Sequence, residues 1–101
     1  MSLRTEFRDR ERRIRIADAR ASEANELARN AVESNSKTTW RAAVTRFRTA
    51  ATLYRQAGLG LLAKAQWLSC AACVGALGDT EGAATCRREA EVIPVYWEGE
   101  K

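Results

Sequence analysis

The three cysteines are the residues of this chain with the most obvious chemistry, and no histidine accompanies them. Cys70 and Cys73 have the C-x-x-C spacing of redox motifs, and Cys86 follows later. A redox motif of this type opens a helix after a strand, whereas this pair lies inside an alanine-rich helical pattern. A zinc site takes four ligands, so three thiolates would still need a carboxylate. We therefore expect buried structural thiols, with no metal and no cofactor.

Acid–base chemistry has no candidate residues either. Histidine is the commonest general base, and it is absent. Glu89 and Glu91 are two positions apart on a predicted helix, so they point in different directions. Gly58 and Gly60 are typical of helix ends and not of a phosphate-binding loop. The sequence predicts a protein that is not an enzyme and has no catalytic residues.

A block of one sign of charge at residues 35–78 is the strongest functional signal. It contains six cationic residues and no Asp or Glu, while the whole chain has a net charge of +4. An unneutralised field of this kind attracts an acidic partner. Four of the cations share one side of a predicted helix along roughly 27 Å: Lys37, Arg41, Arg48 and Arg55. They are either solubilising residues at the edge of the core, or contacts for an acidic protein or a nucleic-acid backbone.

Composition and periodicity predict an all-α fold in a single domain. A chain of 101 residues builds one core. Helix-favouring residues are abundant, and short β-branched runs are missing. Capping and breaking residues predict four helices, arranged as two antiparallel hairpins, at about residues 5–33, 37–57, 61–77 and 81–92.

Apolar spacing predicts which faces of these helices are buried. In the first helix the stripe comprises Phe7, Ile14 and five alanines, the last of which is Ala31. Phe47 and Trp67 are predicted core residues. The Arg-rich part of the first helix, at residues 1–20, is either a solvated, self-paired face or a basic arm that contacts phosphate.

The third predicted helix is apolar on nearly all sides. Residues 59–77 contain one charge, Lys64, and reach the length of a membrane span. Lys64, Gln66 and several alanines disfavour insertion, so we expect a buried helix and no membrane partner. Such a helix needs cover on nearly all sides, which predicts self-association or a protein partner. The charged N-terminus lacks an apolar signal segment, so we expect a cytoplasmic location.

The end of the chain, at residues 94–101, carries two large aromatic side chains. Tyr96 and Trp97 either fold back over the core or form a contact surface, because tyrosine and tryptophan act as interface anchors. Together with Trp67, they are the predicted protein-interface residues.

An internal repeat links the two halves of the chain. At an offset of 40, small and apolar positions coincide, for example Ala31 with Ala71 and Ala43 with Ala83. The run Ala43-x3-Phe47-x2-Ala50-Ala51-x-x-Tyr54-x-x-Ala57-Gly58 resembles the second helix of a tetratricopeptide repeat, in the longer variety of vesicle-fusion adaptor proteins. The stretch Leu27-Ala28-x-x-Ala31-Val32 through Ala43 is similar to a microtubule-interacting-and-trafficking domain. These resemblances, over about residues 24–90, imply a scaffold that grips peptides or helices without catalysis.

Two functions therefore remain open. The first is a protein–protein interaction module or adaptor, or a small subunit of a larger assembly. The alternative is a nucleic-acid-binding helical subunit of a ribonucleoprotein, similar in size and charge to the small subunits of CRISPR effector complexes. A phage or host-defence role is compatible with both.

Overall fold

The structure is a computed structural model that describes residues 3–94. These residues form four helices. They are α1 (Leu3–Ser34), α2 (Lys37–Gln56), α3 (Gly60–Ala76) and α4 (Thr80–Glu91). Those residues contain no strand, and the all-α prediction is confirmed. The predicted contact residues Tyr96 and Trp97 lie outside the described residues.

Left-handed backbone conformations end the first three helices. Asn35, Gly58 and Gly78 have φ angles of 51°, 80° and 87°. Glycine adopts this region without a steric penalty, and asparagine is among the few other residues that tolerate it. Gly58 and Gly78 thus directly follow the helix ends that the sequence predicts at about residues 57 and 77.

Side-chain caps begin α2 and α4. The Ser36 hydroxyl accepts a hydrogen bond from the Thr39 amide at 3.2 Å, and Asp79 Oδ1 accepts one from the Gly82 amide at 2.8 Å. Each cap satisfies one of the amides that a helix N-terminus leaves unpaired. Ser36 and Asp79 are therefore the N-caps of α2 and α4.

Each helix packs chiefly against the next one along the chain. The core between them consists mainly of alanines with a few large side chains. One buried cluster surrounds Phe47, which is 2% exposed, and includes all three cysteines. A second surrounds Tyr54, whose hydroxyl is hydrogen-bonded to Asp18 on α1. Burial, followed by this hydrogen bond and the Asp18 charge, raises the pKa of Tyr54 to about 12.

The 40-residue repeat corresponds to equivalent burial in the two halves. Val32 and Ala72 are both exposed, whereas three pairs of alanines are buried at both positions. These pairs are Ala31 with Ala71, Ala43 with Ala83, and Ala50 with Ala90. The two halves thus use matching positions for packing, while a tetratricopeptide-like arrangement of the hairpins stays a prediction.

The first turns of α1 extend past the end of α2. Arg10 Nε donates a hydrogen bond to the carbonyl oxygen of Ala57 at 2.9 Å, which places Arg10 beside the last turn of α2. Residues 3–9 are all exposed, and Phe7 keeps 59% of its surface accessible. The prediction that Phe7 belongs to the buried stripe is therefore wrong, because residues 3–9 lie beyond the last turn of α2.

Candidate interaction surfaces

The cationic row predicted from the sequence lies on the exposed side of α2. All four of its residues are exposed, and none takes part in an ion pair within residues 3–94. Threonines alternate with these cations, and the Thr45 and Thr52 hydroxyls donate to the carbonyl oxygens of Arg41 and Arg48. The surface is therefore cationic and polar, with no carboxylate on the helix itself.

Within residues 3–94, acidic residues from outside the charged block approach its cations at two points. Arg46 Nε lies 3.2 Å from Glu23 Oε1, which also holds Arg20 Nη1 at 2.8 Å. This network is exposed, so its contribution to stability is small. It does place a carboxylate shared with Arg20 against Arg46, and the block at residues 35–78 is thus less isolated in space than in sequence.

The second place where carboxylates lie near a cation of the block is a groove of about 430 Å³ between α2, α3 and α4. Arg48 lines it from α2, and Asp79 and Glu89 line it from the α4 side. Its apolar lining includes Trp67 and Val74. Arg48 therefore shares a mixed-charge groove, whereas the other three cations do not line it.

Trp67 has two environments. It packs against both core clusters, and it also lines the groove with part of its surface accessible. The prediction that Trp67 is a core residue holds only in part, because the side chain is half-buried, and its role at a protein interface stays a prediction. Of the predicted site residues, the structure brings together Trp67 and Arg48.

The cysteines form a buried cluster between α3 and α4. The Sγ atoms of Cys70 and Cys86 are 3.6 Å apart. Burial and the neighbouring Cys86 thiol raise the pKa of Cys70 to about 12 against the opposing charge of Arg48, and burial raises the pKa of Cys73. Protonated, buried thiols are poor nucleophiles. Among the described residues, no three His, Cys, Asp or Glu side chains are placed to hold a metal ion.

The side of α3 that faces away from the other helices has only apolar or small residues among its exposed positions, with the half-buried Ser69 within it and the half-buried Lys64 at its edge. We call it the α3 outward face. It comprises every exposed residue of α3, namely Leu61, Leu62, Ala65, Leu68, Ala72, Gly75 and Ala76. Leu61 is 66% exposed, and Leu62 and Leu68 are each 46% exposed. Within residues 3–94, no helix combines the length and hydropathy that a membrane crossing needs.

The α3 outward face and the groove lie on different sides of α3. At about 100° per residue, Ala65 and Ala72 are roughly 140–160° away from Trp67. The apolar surface is therefore separate from the surface that holds Arg48. Sequence reasoning recognised α3 as apolar all round but did not find which side stays uncovered.

Comparison with known proteins gives no relative from which a function can be transferred. No protein-family model, curated protein or solved structure matches the chain. The resemblance to tetratricopeptide and microtubule-interacting-and-trafficking domains stays a prediction, and the case for a function rests on the surfaces themselves.

Proposed function

We propose that this protein is a non-catalytic interaction module, or a small subunit of a larger assembly, that docks another protein on the α3 outward face. The observation that carries this proposal is the complete absence of polar side chains among the exposed residues of α3. Large contiguous apolar patches are uncommon on isolated domains and mark interaction sites. Burial of the three exposed leucines against a partner would be favourable, at about 25 cal/mol per Å².

The other surfaces support the same class of function. The cationic row gives a protein partner with acidic groups a faster, salt-dependent encounter. The unlinked thiols of Cys70 and Cys86 suit a reducing compartment, and a cytoplasmic setting is part of the proposal. Cys86 is the one cysteine among the residues that line the groove beside Arg48, and it is buried, which supports a binding role over a catalytic one.

Binding of an apolar fluorescent dye at low micromolar protein concentration tests the exposed surface. We expect the wild-type chain to bind the dye and Leu68→Glu to lose most of this binding. Val92→Glu is the matched control, because Val92 is 63% exposed and lies at the C-terminal end of α4. Wild-type protein that binds no dye and stays monomeric up to millimolar concentration would contradict the proposal.

Binding of a nucleic-acid backbone is the second candidate function, favoured by the exposed cations along α2, which make no ion pair within residues 3–94. Arg41→Glu combined with Arg48→Glu tests it against random RNA and DNA over a salt series. If these residues bind phosphates, affinity falls for all sequences alike. The slope of log K against log salt then flattens by roughly one for each phosphate that the double variant no longer neutralises.

The matched control for this experiment is the same charge change on α4. Arg87 and Arg88 are both exposed and lie on another helix, so their reversal to glutamate should leave the salt slope nearly unchanged if the row is the binding site. Negligible wild-type binding at low salt would rule out this candidate.

A further inference from the structure

We infer that the partner of the α3 outward face is a second copy of this chain, with the two α3 helices packed antiparallel about a twofold axis. This inference rests on the proposed function and names the occupant of its surface. Three independent features of α3 point to it: the spacing of the exposed residues, an unexplained glycine, and the change of side-chain size along the helix.

The spacing is that of a helix–helix seam. Exposed apolar or small residues recur at intervals of four, three, four and three, as in paired helices. This α3 seam consists of Leu61, Ala65, Leu68, Ala72 and Gly75. Its small residues allow a second helix to approach closely. The core of this chain packs against the opposite side of α3 and does not require small residues here.

Gly75 is a glycine without a role inside the folded chain. It lies in the last turn of α3, where glycine favours the helix less than alanine does. Among residues 3–94, a Cβ atom at this position would meet nothing within 4 Å. At Gly60, by contrast, a Cβ would overlap the Pro94 carbonyl oxygen, and at Gly82 it would overlap the Asp79 side chain. Close approach of another helix gives Gly75 the role that the single chain does not.

The size gradient along the α3 outward face selects the orientation and the partner. Leu61 and Leu62 lie near its N-terminal end, and Ala72, Gly75 and Ala76 lie near its C-terminal end. An antiparallel second copy sets the large end of each helix against the small end of the other. The surface is then self-complementary, as an isologous twofold interface requires.

The area available makes this dimer reversible. The 17 residues of α3 extend for roughly 25 Å, and one helix pair of this length buries less than the standard interface of about 1,600 Å². We expect a dissociation constant on the order of micromolar. Monomers with an open α3 outward face are then present at low concentration, as the dye experiment requires.

Sedimentation equilibrium of the purified chain over micromolar to millimolar concentration tests the pairing. We expect the mass to rise from 11.2 kDa towards twice that value. Gly75→Gln should weaken association at least tenfold, because its side chain blocks the close approach. The same change should not lower the thermal midpoint of the dilute monomer, since glutamine favours helix and has room. Val92→Gln, at the end of α4, should leave the dissociation constant unchanged.

Disulfide trapping tests the orientation. Under a mild oxidant, Leu68→Cys near the middle of α3 should link to its copy, whereas Leu61→Cys should not, because the two ends lie roughly 20 Å apart in an antiparallel pair. Equal linkage at both positions would overturn the antiparallel geometry.

Two outcomes would overturn the inference. A dimer that Gly75→Gln leaves intact places the interface elsewhere. A wild-type monomer at millimolar concentration excludes the second copy as the occupant; if this monomer still binds dye in a Leu68-dependent manner, the proposed function stands with a different partner. A monomer that also binds no dye contradicts both.

Discussion

Phe47 offers the sharpest test of the packing. It is 2% exposed at the centre of the larger core cluster, against Cys70 and Val74 of α3 and Ala24 of α1. Phe47→Ala removes a buried ring from this cluster and leaves a cavity in its place. We expect a loss of about 3–5 kcal/mol, a large fraction of the roughly 5–15 kcal/mol that a domain has in total.

Urea unfolding followed by far-ultraviolet circular dichroism measures this loss. With a denaturant slope of about 1–3 kcal/mol per molar, the midpoint should fall by roughly 2 M. Phe7→Ala is the control, because it is the same truncation at a residue that is 59% exposed, and it should change stability by about 0.5 kcal/mol or less. Equal effects of the two truncations would refute the assignment of the α2 core face.

Two further predictions concern backbone space and alkaline pH. In dilute protein, Gly75→Ala should stabilise the fold by up to about 1 kcal/mol, whereas Gly60→Ala should destabilise it because its Cβ would overlap the Pro94 carbonyl oxygen; thermal unfolding compares the two. The pKa of Tyr54 is about 12 in the folded chain, against 10.0 in the unfolded chain. The protonated Tyr54 hydroxyl therefore stabilises the fold fully below pH 10, and this stabilisation is lost as the pH rises towards 12. Stability measured across this range should fall less steeply in Tyr54→Phe.

Local signals in the sequence were enough to predict the helices. Glycines at 58 and 78 ended helices as expected, and the 40-residue offset marked positions that are buried in both halves. Phe47 was predicted to be a core residue because the apolar residues of α2 fall on one face of the helix. These features depend on near neighbours in the chain, which a sequence displays directly.

Features that depend on the ends and edges of helices could not be predicted in the same way. Phe7 matched the apolar stripe of α1, but the overhang past α2 is set by where α2 ends and by the contact of Arg10 with Ala57. The pairing of Arg46 with Glu23 joins residues far apart in sequence, and no spacing indicates it. The sequence shows α3 as apolar on nearly all sides, so no spacing singles out the α3 seam, and its exposure follows only from how α2 and α4 cover the opposite side.

Leucine-methyl NMR during dilution tests the pairing through α3 most directly, because it reports which surface another chain covers. Between millimolar and micromolar protein, we expect the methyl resonances of Leu61 and Leu68 to shift together along one binding curve. Those of Leu3, which is 83% exposed on α1, should stay constant. Constant Leu61 and Leu68 resonances at all concentrations, or shifts confined to residues outside α3, would contradict the pairing of two copies of this chain through the α3 outward face.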